Sequence, residues 1–92
     1  MWVEIGGETL FGKIEQRFAY VEKPEAVGFV EVSFPGRVYF GAEHDEERFR
    51  YGRRAKILFS KADRWQTARV AGPVLLGGGR LHVDMELLGY VL

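Results

Sequence analysis

Arg80-Leu81-His82-Val83-Asp84-Met85-Glu86-Leu87 decides the fold class. Its residues alternate strictly between apolar and charged or polar types, and a period of two puts Leu81, Val83, Met85 and Leu87 on one face of a strand and Arg80, His82, Asp84 and Glu86 on the other. The first row is expected to face a core and the second to face water. Just before it, Gly77-Gly78-Gly79 reads as a hairpin turn. No helix follows these glycines, so the geometry that cradles a phosphate is missing.

The same period extends outward in both directions. Toward the N-terminus, Val74 to Leu76 reads as a short strand, Gly72-Pro73 as a kink and Trp65 to Ala71 as a strand. Lys61-Ala62-Asp63 reads as a turn and Ala55 to Ser60 as another strand. Phe49 and Tyr51 alternate with Arg48 and Arg50, which predicts that the two rings share one strand face and the two arginines the other. From the opposite end, Val3 and Ile5 alternate with Trp2 and Glu4, and Gly6-Gly7-Glu8 closes a first hairpin. A long strand from Leu10 to Val21 follows, with Gly12 marking a bend or bulge. Pro24 ends it. Ala26 to Phe34 forms the next strand, Phe34-Pro35-Gly36-Arg37 fits a type II turn, and Arg37 to Gly41 returns as its partner. Glu43-His44-Asp45-Glu46-Glu47 is too charged to bury and reads as a loop or a single helical turn. The expected fold is all-β, a small closed or partly open antiparallel barrel, or else a sandwich, of about seven strands. Closure is favoured because it removes exposed strand edges.

Ninety-two residues suffice for one domain spanning 1–92 and one core. Seven Phe, four Tyr and two Trp supply that core. The absence of cysteine leaves stability to packing and hydrogen bonds. No signal peptide or transmembrane segment is visible, so a cytoplasmic or virion component is expected.

Net charge is zero, yet it is segregated along the chain: residues 1–47 carry −6, residues 48–69 carry +7 and residues 70–92 carry −1. Such a dipolar chain favours an anionic partner at one face or self-association of opposite faces. The candidate basic face is Arg48, Arg50, Arg53, Arg54, Lys56, Arg64 and Arg69, with Lys61 in the same segment. The candidate acidic face is Glu43, Asp45, Glu46 and Glu47.

Groupings that suggest chemistry are few. The run from Glu43 to Glu47, with His44, offers carboxylates and an imidazole, but consecutive positions cannot all converge on one ion, and solvated surface is the simpler reading. His82 and Asp84 share an outer strand face and can pair, without a Ser or Cys nucleophile nearby in sequence. Ser33 and Ser60 sit in no nucleophile pattern and read as strand-end residues. No catalytic residue, metal site, cofactor or small-molecule substrate is assigned, and the expectation is a protein that is not an enzyme.

Two resemblances bear on function. Arg50-Tyr51-Gly52-Arg53-Arg54 fits the R-x-x-x-R element of PilZ domains, which bind cyclic di-GMP. Asp84-Met85-Glu86-Leu87-Leu88-Gly89 is similar to their D/N-x-S-x-x-G element, with Glu86 in place of the serine and so a negative charge where a phosphate would lie. The second half also resembles the β-barrel domains of phage tail hubs, baseplates and tail-completion proteins, through Phe49-Arg50-Tyr51-Gly52 before the strand Ala55 to Phe59, then Thr67 to Gly72, then Leu81 to Leu87. That resemblance implies a structural subunit assembled in rings through complementary faces. The expected partners are therefore copies of the chain or other assembly subunits, with no membrane. The charges guide docking, and exposed Trp2, Phe11 or Tyr39 supplies affinity. The alternative is a nucleic-acid-binding barrel that uses the basic 48–69 segment.

Overall fold

The computed structural model describes residues 1–18 and 30–91, with the backbone alone for 30–34 and 89–91. The end of the long strand beyond Phe18, the break at Pro24 and the start of the strand at Ala26 lie outside the described residues.

Among the described residues alternation becomes structure in eight strands: β1 (Trp2–Ile5), β2 (Glu8–Phe11), β3 (Lys13–Gln16), β4 (Val30–Gly41), β5 (Arg54–Leu58), β6 (Gln66–Val70), β7 (Leu75–Gly77) and β8 (Arg80–Val91). They form one antiparallel sheet in the order β2-β1-β5-β6-β8-β4-β3, with β7 added on β8. Its two end strands are successive pieces of one segment, bent at Gly12. The Met1 amino group donates to the Gly12 carbonyl at 2.9 Å, and the Gly12 amide donates back to the Met1 carbonyl at 2.9 Å. A side chain at Gly12 would stand 2.6 Å from a Val38 methyl, so the bend needs glycine for close approach. Burial of the amino group lowers its pKa. The sheet thus curls into a partly open barrel, one sheet rather than two packed ones.

The inward rows make one core. Val3, Ile5, Val38, Phe40, Phe49, Ile57, Val70, Leu81, Val83 and Met85 are all buried, at 1% exposure or less. Each side chain of this size contributes about 1.5–3 kcal/mol by leaving water, set against the entropy of ordering it. Among the described residues, no polar or charged residue is buried in this core.

The central feature is the β4–β8 ladder, twelve residue pairs from Val30↔Val91 to Gly41↔Arg80. At about 3.4 Å per residue it spans roughly 40 Å, close to the 45 Å long axis of the molecule. The predicted type II turn at Phe34-Pro35-Gly36-Arg37 does not form, because these residues lie inside β4, paired with Leu87, Glu86, Met85 and Asp84. The returning strand from Arg37 is therefore the continuation of the preceding one. Pro35 is tolerated because the pairing of β3 with β4 ends at Gln16↔Arg37, which leaves Pro35 beyond that ladder. Gly36 answers a steric demand of a different kind. The Phe18 ring lies over it, and a Cβ there would meet ring carbons at 2.6 Å. Phe18 in turn packs edge-to-face on Phe59, with ring centroids 5.7 Å apart. Ser33, read as a strand-end residue, is interior to β4.

The acidic stretch forms turns and then one 3-10 turn, Glu46–Phe49. This corrects the expectation that Phe49 and Tyr51 share one strand face. Phe49 ends the 3-10 turn and is fully buried, stacked on Phe40 at 4.6 Å, whereas Tyr51 enters the following turn and is 74% exposed. Burial of the Phe49 ring pulls the chain off the extended path that alternation alone would give.

Candidate interaction faces

Two outward rows of the same barrel have different fates. On β8, Arg80, His82, Asp84 and Glu86 all point outward, and each meets a side chain of another strand. The Arg80 guanidinium lies over the Tyr39 ring of β4, 4.6 Å from its centroid. His82 Nδ1 is 2.6 Å from Glu15 Oε2 of β3, and His82 Nε2 is 3.0 Å from the Gly77 carbonyl at the end of β7. Arg37 Nε of β4 donates to Asp84 Oδ1 at 2.7 Å. Arg69 Nε of β6 donates to Glu86 Oε1 at 2.8 Å, and Arg69 Nη2 also bonds Glu86. The row expected simply to face water is a seam of cross-strand polar contacts. His82 and Asp84, which share one face and could pair, instead each have a partner across the sheet.

These contacts shift protonation. The hydrogen bond to Glu15 and then the one to the Gly77 carbonyl raise the His82 pKa above its ordinary value. The bond to Asp84, with its charge, raises Arg37 further and keeps it cationic. No feature of the sequence points to Glu15 as the partner of His82. The register of β3 against β4 shifts between Ile14 and Gln16, and that irregularity sets where Glu15 lies.

On β5 the outcome is different. Arg54 and Lys56 are outward and exposed, and among the described residues neither has an assigned hydrogen bond or ion pair. Register places Glu4 and Thr67 beside Lys56, and Arg69 beside Arg54. Along the same face Trp2 lies in register with both Phe11 and Leu58. Trp2 and Phe11 are 47% and 51% exposed and meet edge-to-face at 5.3 Å. A groove of about 200 Å³ beside the Gly6-Gly7 turn is lined by Arg54, Lys56, Thr67 and Glu4. Bases and aromatic rings therefore do share one surface here.

The remaining members of the predicted basic face divide between the two kinds. Arg48 bonds the carbonyls of Ile5 and Gly6 at 3.3 and 2.9 Å and lies 3.3 Å from Glu8, so it fastens the first hairpin to the 3-10 turn. Arg53 donates to the Arg48 carbonyl at 3.3 Å. Arg48, Arg53 and Arg69 of the predicted basic face are thus tied to other parts of the same chain. Arg50 and Arg64 are exposed, as is Lys61.

In the acidic face, Asp45 is spent as a cap, accepting from the Glu47 amide at 3.0 Å. Glu43 lies 3.6 Å from His44 Nε2. Glu46 and Glu47 are exposed. No group of three His, Asp or Glu side chains suited to a metal ion occurs among the described residues. Of the residues expected to supply affinity, Trp2 and Phe11 are exposed, whereas Tyr39 is half-buried under Arg80. The two carboxylates in the PilZ-like element are engaged by Arg37 and Arg69. Among the described residues no helix is long and apolar enough to cross a membrane. No protein-family model, curated protein or solved structure matches this chain.

Proposed function

We propose that this chain is a non-enzymatic structural or interaction domain that docks onto copies of itself or onto other subunits of an oligomeric assembly. The observation that carries this reading is the outer face of β1, β2 and β5, where Trp2, Phe11 and Leu58 adjoin Arg54 and Lys56. Exposed aromatics supply affinity, and cations without an assigned partner select and orient an acidic surface. The acidic 3-10 turn of a second copy, through Glu46 and Glu47, has the complementary charge. A ring-forming subunit of a phage-tail-like particle, a cytoplasmic or virion component, is the assembly this reading favours. Light scattering after size exclusion tests it. Oligomers that dissociate as salt rises are expected, and a strict monomer at high concentration and low salt would remove self-assembly.

A second reading is favoured by the same geometry, because stacking on nucleobases requires rings and cations on one surface and Trp2, Phe11, Arg54 and Lys56 provide both. Binding of a labelled single strand would then weaken steeply between two salt concentrations through counterion release. Salt-insensitive or absent binding discards that reading.

A further inference from the structure

Both ring nitrogens of His82 face atoms that accept hydrogen bonds, a Glu15 carboxylate oxygen at 2.6 Å and the Gly77 carbonyl at 3.0 Å. A carboxylate and a carbonyl have no proton to give, so the imidazole makes both bonds only as the doubly protonated cation. A neutral ring keeps one N–H and must leave the other nitrogen facing an acceptor lone pair. The three groups lie on three strands: Glu15 on β3, Gly77 at the end of β7 and His82 on β8.

We infer that His82 is a proton-operated clasp, which as imidazolium ties the β7 end of the last hairpin and the irregular part of β3 to β8, and which on losing a proton releases one of the two. The carbonyl bond is the one expected to go, since the carboxylate is the stronger acceptor and holds the remaining N–H. The device acts on surface presentation. β7 has three residues, and its Leu75 and Leu76 are 51% and 64% exposed, so their positions depend on how firmly the hairpin is held.

The surroundings set the direction of the response. From β3 come Glu15 and Lys13, from β4 Tyr39 and Arg37, and from β8 itself Arg80 and Asp84, while β7 brings no charge. Glu15 and the Gly77 carbonyl favour the cation, and Arg37 opposes it. The folded pKa is raised, so the stabilisation is complete below the ordinary histidine value of about 6.5 and is lost as pH rises through the higher folded value.

Imidazole nitrogen NMR on the whole chain, paired with amide hydrogen exchange across the same pH range, tests this. Below the transition both nitrogens of His82 should be protonated. As the proton leaves, exchange at the β7 amides, Leu75 to Gly77, should rise about tenfold relative to that at Val3 and Ile5, after correction for the intrinsic effect of pH, as expected for losing a charge-assisted bond. Glu15→Gln should bring the His82 titration back toward the ordinary value, and His82→Gln should abolish the pH-dependent step in β7. The inference is overturned by a neutral His82 at pH 6, by β7 exchange that does not follow the His82 titration, or by a His82→Gln protein that keeps the pH-dependent step.

Discussion

The outward rows of β8 and β5 are written in the same pattern of a charge at every second residue, yet they play opposite parts. Asp84 and Glu86 find Arg37 and Arg69 across the sheet, whereas Arg54 and Lys56 have no assigned partner among the described residues. The difference lies in the neighbours. β8 runs between β4 on one flank and β6 and β7 on the other, and register sets Arg37 beside Asp84 and Arg69 beside Glu86. β5 runs between β1 and β6, where Glu4, Thr67 and Arg69 stand opposite its cations. A charge row is thus a seam of cross-strand contacts or an exposed row without assigned partners according to the strands on either side.

The sharpest way to break the comparison is to disturb the packing of the Phe18 ring on β4, the strand that flanks β8. Gly36→Val forces a side chain into the Phe18 ring, 2.6 Å from the ideal Cβ, and should cost about 1–3 kcal/mol by overpacking. In a domain of this size each kcal/mol lowers Tm by about 4–8 °C, so calorimetry resolves the loss readily. The seam should suffer while the β5 face keeps its charge.

A smaller effect is expected from Asp84→Ala, which strips the half-buried Arg37 of its carboxylate. A small loss of stability should appear in urea denaturation. Exchanging the charges, Arg37→Asp with Asp84→Arg, should recover part of it. A double-mutant cycle should give a favourable coupling, and a coupling of zero would show that the seam is geometric rather than energetic.

The least change in stability belongs to β5. Arg54→Ser with Lys56→Ser should shift stability by no more than about 0.5 kcal/mol while weakening salt-sensitive association. If these substitutions destabilise the fold as Asp84→Ala does, the distinction between the two rows disappears.

Much of this architecture was legible in the residue order. The strands from Trp2 to Ile5 and from Arg80 onward, and the turns at Gly6-Gly7 and Gly78-Gly79, all follow from period-two patterning and glycine chemistry, which act over a few neighbouring residues. Pro35-Gly36 was misread because a proline-glycine pair fits a turn locally. The actual demand, an aromatic ring from Phe18 lying over β4, comes from a distant part of the chain. Phe49 failed for the same reason, since its stacking partner Phe40 is set by tertiary packing. In the candidate interaction faces, residue types were readable and partners were not. Arg48, Arg53 and Arg69 look like Arg54 in sequence, and Glu15 meets His82 only through the register of three strands.

The long β4–β8 ladder has a consequence for how the chain reaches this shape. Gly41 and Arg80, at its near end, are 39 positions apart, and Val30 and Val91, at its far end, are 61 apart. Pairing these residues requires large loops to close before any of the ladder's contacts can compensate, which places the domain among slow folders rich in non-local contacts. On the ribosome β4 must wait for β8, the longer of its two partners, to be synthesised. Until β8 emerges, the apolar row of Val38 and Phe40 lacks the cover that β8 provides.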